Sequence, residues 1–468
     1  MFCPSGGGFL GSDAGTGALG QNPGFLNASG GYSKDVFGRI VTETPTTLFT
    51  SHTAFTPQYE WLDYASTGTG SVFVDLSNTL VRLSASGSGG RAIRQSHEYQ
   101  LYQPAKSHVS YMTCIPQYQG TFDNSVAIRF GIYDDYRDKN TPAGLPITPS
   151  TGVAFVSSIY GGTGQETSQP SMGHYFELSG NQWFVVERAN SPNNIINVNR
   201  VPQSQWNIDT CGLNPSVSPS GFRLETNQSQ SLIALVERQW LGVGSVRMGF
   251  FTYGRPIFVH SFQLRGLNRA YTHLPKLPIR FEIEKVAGGS DLSANFASIC
   301  MSSHVMGDYT PFGSIFSLPA ELTNTVATVD TALRPILAIR LQQQYCRATF
   351  KLKDIEIFAS ADANYALFKN PVISNSISWI KNPDTRSMIE YAWFSGSVNR
   401  TISGGLCTRS GYVDKTTSLQ DSLAVTELAT APPYCSDIAG NPDILVLAVQ
   451  GHSGNTNFRA TFRWLELV

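Results

Sequence analysis

From residue 40 onward the apolar residues come in short runs, many alternating with polar ones and separated by Gly, Ser, Asn and Pro. A period of two turns one face of a strand to a core and the other outward, so these runs predict strands. SVFVDLSNTLVRLSAS (71–86) reads as a hairpin closed at Ser77 and Asn78, and YFELSGNQWFVVERA (175–189) as one closed at Gly180 and Asn181. QSLIALVERQW, SVRMGFFTYG, PIFVHSFQL and PIRFEIEKV follow with the spacing of a meander. Alternation is lost near Gly307 to Leu322. PILAIRL, CRATFKLKDIEIFAS, MIEYAWFSG, DILVLAVQG and FRATFRWLEL then supply a second set of strands. Helical periodicity is almost absent, its best candidate being a short turn around Pro319 to Thr325.

The pattern predicts an all-β chain with at least two antiparallel β-sandwich or jelly-roll domains. Residues 1–39 form an extended Gly-rich N-terminal arm, 40–90 short strands ending in the Ser/Gly linker SASGSGG, 91–306 the first β-sandwich and 307–468 the second. Up to Gly31 the arm carries ten glycines and a single charge, Asp13, too little apolar surface for a core of its own. Phe2, Phe9, Leu10, Phe25 and Leu26 recur through it, as expected of a segment that orders on a neighbouring subunit and not of a purely solvating tail.

Charged residues make up 14% of the 468, the net charge is -1, and Lys and Arg are scattered singly, so direct nucleic-acid binding is not expected. No apolar run approaches the roughly 18 residues of a membrane-spanning helix, and the N-terminus lacks the basic and apolar blocks of a secretory signal. Seven cysteines stand far apart with no CxxC pair, which predicts reduced, mostly buried thiols and no structural zinc.

Four patterns invite a chemical interpretation. In LVERQWLGVGSVRMGFF, Gly242, Gly244 and Gly249 crowd after an apolar run. A dinucleotide fingerprint needs GxGxxG opening a helix, whereas strand residues follow here, so a turn at Leu241 to Gly244 with a bulge or close approach at Gly249 is expected. GHSGN (451–455) departs from the GxSxG elbow at Asn455 and lies between two strands, which predicts a hairpin loop. Glu282 and Glu284 share a strand face at i, i+2 and, with Glu177, Glu187, Glu225 and Glu237, could supply the carboxylate pair of a glycosidase; a solvated face with Phe281 and Ile283 inward fits as well. Asp134, Asp135 and Asp138 in YDDYRDKN admit Ca²⁺ through oxygen ligands, against a hairpin turn of solvated side chains, and no cofactor is expected otherwise. The tryptophans are expected in cores, one or two at strand ends being available to stack on sugars.

Six segments, RQSHEYQLYQPAKSHVSYMTC, WNIDTCGLNPSVSPSGFRLE, RQWLGVGSVRMGFF, LPIRFEIE, RPILAIRLQQQYCRAT and the ending FRWLELV, resemble a family of virion-associated structural proteins of tailed phages and large double-stranded DNA viruses. They span roughly 91–468, and Ala105-Lys106 stands where the family pattern has GK. The resemblance implies a non-enzymatic structural component of a virus particle: a homo-oligomer packed against other virion proteins, at a capsid, vertex, neck or tail position. The alternative is a receptor- or glycan-binding fibre or spike that reads a host-surface glycan; the second alternative is a glycosidase-like enzyme.

Overall fold

The computed structural model describes residues 45–467, apart from 55–59, 67, 104–105, 136–171, 190–196, 226–227, 240–243, 265–274, 286–291, 308–312, 320–325, 395–399, 416–418 and 423–430. Phe2, Phe9, Leu10, Phe25, Leu26 and the rest of the arm lie outside the described residues, as do Asp138 and most of the turn expected after Pro319. The first part of the chain forms β1 (Pro45–His52), β2 (Trp61–Ala65), β3 (Gly70–Asp75), β4 (Leu80–Ala85), β5 (Arg91–Ser96), β6 (His108–Ile115), β7 (Val126–Asp134) and β8 (Met172–Ser179). It continues with β9 (Gln182–Ala189), β10 (Asn197–Pro202), β11 (Leu232–Arg238), β12 (Ser245–Thr252), β13 (Arg255–Gln263), β14 (Ile279–Lys285) and β15 (Ala294–Met306). The second part forms β16 (Gly313–Ser317), β17 (Ala327–Val329), β18 (Arg334–Leu341), β19 (Thr349–Ala359), β20 (Ala363–Lys369), β21 (Val372–Ile373) and β22 (Ile380–Lys381). It ends with β23 (Ile389–Trp393), β24 (Ile402–Ser403), β25 (Leu406–Val413), β26 (Leu419–Ser422), β27 (Ile444–Gly451) and β28 (Thr456–Leu467).

The chain is all-β, and every strand ladder among the described residues is antiparallel. In the first sandwich an eight-stranded sheet, β13-β12-β11-β6-β15-β4-β3 with β1 also on β15, faces a seven-stranded one, β10-β9-β8-β7-β14-β5-β2. Alternation explains the core between them: Ile128, Phe130 and Ile132 of β7 and Phe281 and Ile283 of β14 point inward with Phe176, Trp183, Phe250 and Phe296. The second sandwich pairs β16-β28-β19-β26 (with β17 on β28) with β22-β23-β18-β27-β20-β25, around Ile339, Phe350, Leu447, Phe458, Phe462 and Trp464.

Several expectations change. The strands at 45–85 belong to the first sandwich, and the Ser84–Gly90 block, expected as a linker, carries the chain from β4 in one sheet to β5 in the other. The meander holds for β11, β12 and β13 only; β14 crosses to the opposite sheet, because two adjacent sandwich layers can each take the next strand. Residues 452–455 form no hairpin, since β27 and β28 belong to different sheets; His452 Nε2 lies 2.9 Å from Asn364 Oδ1. Gly249 sits at a register shift in the β12–β13 ladder, and a Cβ there would meet the Ile257 carbonyl oxygen at 2.3 Å, so only glycine fits this close approach. Four of the six described cysteines are buried, Cys300 and Cys407 being exposed.

The two sandwiches meet on the outer face of the seven-stranded sheet at β5 and at the ends of its strands. Ile438 packs on Ile93 of β5, and Leu101 on Leu465 and Leu467. Lys276 Nζ donates to the Leu467 carbonyl at 2.6 Å. Asp443 accepts from His97 Nε2 at 2.6 Å and lies 3.3 Å from Lys369 Nζ, while Arg347 Nε is 2.5 Å from Asp134 Oδ2. Apolar contacts and buried ion pairs therefore fasten one sandwich to the other.

Candidate functional site

The inward Phe281 and Ile283 force Arg280, Glu282 and Glu284 onto the outer face of the seven-stranded sheet. Register brings Glu282 opposite Arg129 of β7, and Arg129 opposite Glu177 of β8, so one row across three strands alternates in charge. Arg129 donates from Nε to Glu177 (2.9 Å) and from Nη1 to Glu282 (2.9 Å) and Glu284 (3.0 Å). Glu282 also accepts from Arg91 Nε (3.0 Å), Arg280 Nε and Nη2 (3.0 and 2.8 Å) and Tyr133 (3.3 Å). Glu177 takes both Nε and Nη2 of Arg200, at 2.9 and 2.7 Å. All these residues except Arg200 are buried, so the expectation of a solvated glutamate face is corrected: the glutamates face a closed guanidinium lattice.

The electrostatics follow. Burial works against the Glu282 charge and Asp135 adds to that, but Arg91, Arg280 and Arg129 outweigh both and hold the carboxyl well below the usual range. A general acid needs the opposite, a carboxyl kept protonated near neutrality. Glu282 is fixed as an anion and can orient and neutralise its neighbours; a proton for a leaving group is not available from it.

The other predicted carboxylates are dispersed. Glu237 lies on the eight-stranded sheet, accepting from Arg247 Nε (3.1 Å) and Ser107 (3.1 Å). Glu225 is exposed, and its carbonyl accepts from Trp183 Nε1. Glu187 is buried at the end of β9 opposite His174, and burial, partly offset by a hydrogen bond from Asn199, raises it to about 7. Asp134 faces Arg347, and Asp135 lies 3.6 to 3.8 Å from Arg188 and Arg91, so the two described aspartates of the expected Ca²⁺ cluster are turned to guanidinium groups. Among the described residues no group of three or more His, Cys, Asp or Glu could hold a metal ion. The arginines were missed from the sequence because they are scattered singly along it. The available signal was parity: Arg280 in RFEIE and Arg129 in VAIRF both fall on the polar face of strands whose other face is aromatic and aliphatic.

No protein-family model matches the chain, and no curated protein matches it at a significant level. Solved structures similar to it include arcelin-5, a lectin-like defense protein from Phaseolus vulgaris (10% identity, 57% of this chain and 100% of that one, TM-score 0.34). The endo-β-1,4-glucuronan lyase of the fungus Trichoderma reesei (13%, 55% and 95%, 0.33) and the β-glucanase of Bacillus licheniformis (11%, 56% and 98%, 0.31) are similar to a like extent. With TM-scores below 0.5, none carries an argument about what this chain does.

Proposed function

We propose that the chain is a non-enzymatic structural component of a virus particle, acting through packing between subunits. The observation that carries the non-enzymatic part is the guanidinium lattice: Glu177, Glu282 and Glu284, the carboxylates gathered on one sheet face, are all committed to fixed cationic partners. Ion pairs of this kind lock a sheet face and a domain junction into one geometry, as a repeated building block requires. The virion assignment rests on the six-segment resemblance. It is supported by an edge strand, β25, on which Leu406, Cys407 and Tyr412 are exposed for contact with another subunit.

Two experiments test this. Deleting Met1 to Gly31, with Phe2, Phe9, Leu10, Phe25 and Leu26, should abolish or weaken incorporation into particles; normal incorporation and particle stability would overturn the arm's role. Incubation with β-glucans and glucuronans should give no cleavage, and turnover lost in both Glu177→Gln and Glu282→Gln would overturn the non-enzymatic reading. The second reading, a glycan-binding fibre or spike, is favoured by one feature, an open polar depression beside the half-exposed Phe73.

A further inference from the structure

On the outer face of the eight-stranded sheet, at its β3 edge, alternation turns Ser71 and Phe73 outward while Val72 and Val74 pack on the core. The ladder sets Ser71 beside Ser84 and Ser84 beside Asn295 in one row, and Phe73 beside Arg82 in the next. The result is a depression of about 420 Å³ lined by Arg82, Ser71, Ser84, Thr69, Ser86 and Asn295, among others, with no carboxylate in its wall. Ser84 Oγ donates to Asn295 Oδ1 at 2.6 Å and Asn295 Nδ2 donates to the Gln119 carbonyl at 3.3 Å, which fixes the amide in place.

Arg82 is the cation of this wall. Its guanidinium lies 5.3 Å from the centre of the Phe73 ring, and its Nε is buried without a hydrogen-bond partner among the described residues. The acid on the same face of β3, Asp75, accepts from the Asn78 side chain (2.7 Å) and backbone N–H (3.2 Å) in the hairpin turn and is also attracted by Arg82. A guanidinium beside the exposed Ser71 hydroxyl suits a planar or tetrahedral oxyanion, and the half-exposed Phe73 ring next to Arg82 suits the apolar face of a sugar.

We propose that this depression binds an acidic saccharide, its carboxylate or sulfate group on Arg82 and the Ser71 hydroxyl and its ring against Phe73. The proposal rests on the glycan-binding reading and is independent of the virion assignment. The test is binding of the full chain to immobilised acidic saccharides, uronate-containing and sulfated, with their neutral counterparts and inorganic sulfate as separate arms. Acidic saccharides should bind more tightly than neutral ones and weaken with added salt. Arg82→Gln should lose about tenfold or more in affinity. Ser71→Trp, which fills the depression from an exposed position, should abolish binding, with unchanged melting of both variants confirming the fold. Saccharide binding unaffected by both substitutions would overturn the site while leaving glycan recognition standing. Binding of inorganic sulfate alone would overturn the saccharide proposal, and binding of no ligand in any arm would overturn both.

Discussion

In the first sandwich the outer face of β7, β8 and β14 carries Arg129, Glu177, Arg280, Glu282 and Glu284, all buried and mutually paired. In the second, the outer face of β18, β23 and β27 carries Ala338, Ala392 and Val446 under Phe394, with Ile373 of β21, Ile402 of β24 and Trp379 packed on them. Both faces are covered, but one cover is directional and the other is not. A buried ion lattice is satisfied in one arrangement of its members, whereas an apolar patch adjusts by small shifts and loses stability in proportion to the area removed. The ion pair across the β18–β23 ladder, Arg340 with Glu390 at 2.6 Å, is partly exposed. The first sandwich is therefore the more brittle half, and single truncations there should cost more than comparable ones in the second.

The largest expected effect breaks the lattice directly. Glu282→Ala leaves Arg91, Arg129 and Arg280 buried around an empty position and should destabilise the first sandwich by about 3–5 kcal/mol, measured by urea unfolding. Hydrogen exchange should place the loss in β5, β7 and β14. A loss below about 1 kcal/mol would mean that the arginines find water or other partners, and the contrast between the faces would fall.

Next comes the junction, where the two chemistries meet. Burial opposes the Asp443 charge, but His97, Lys369 and Asn370 outweigh it and hold the carboxyl below the ordinary aspartate range. A depressed folded pKa contributes stability that is present above the unfolded value near 4 and is lost as pH falls below it. Asp443→Asn should therefore cost about 2 kcal/mol at pH 7 and flatten the acid limb of the stability curve. An unchanged acid limb would assign the junction to its apolar contacts, Ile93 with Ile438 and Leu101 with Leu465.

How far the lattice was legible is a question of parity and register. Alternation in IRFEIEK settles that Glu282 and Glu284 oppose Phe281 and Ile283, because a strand's period is two whatever its neighbours. It cannot settle whether the polar side meets water or other side chains, which depends on the strands beside it: Arg129 is 153 residues away from Glu282 in the chain and reaches it only through the β7–β14 ladder. The same limit explains residues 452–455. Two flanking strands and a short polar loop look alike whether the strands pair or enter opposite sheets, and only the partners of β27 and β28 decide. The all-β class and the turns at Ser77–Asn78 and Gly180–Asn181 needed no such partner information.

A stabilising substitution sharpens the contrast from the other side. Glu187 shares the inward parity of Trp183 and Val185, and burial raises its carboxyl to about 7 against the Asn199 hydrogen bond. A raised folded pKa contributes stability that is complete below the unfolded value near 4.5 and is lost as pH rises through about 7. Glu187→Gln should therefore be more stable than the wild-type chain by on the order of 2 kcal/mol at pH 8.5, the gain vanishing by pH 4.5. A gain independent of pH would show that titration of Glu187 is not its source, and a loss at pH 8.5 would show that a cation already neutralises the carboxylate.

The smallest effect tests the apolar cover. Phe394 is buried over Ala338, Ala392 and Val446, and the Arg400 guanidinium sits 4.9 Å from its ring centre. Phe394→Leu keeps the patch apolar and close in volume, so it should cost about 1 kcal/mol, read from the same urea transition. The effect should be local, with faster hydrogen exchange in β21 and β24 and no change in β7 or β14, because the neighbours can close over a modest loss of volume. A cost equal to that of Glu282→Ala would show that this face is as rigidly specified as the lattice, and directionality of the ion pairs would no longer explain the difference between the two halves.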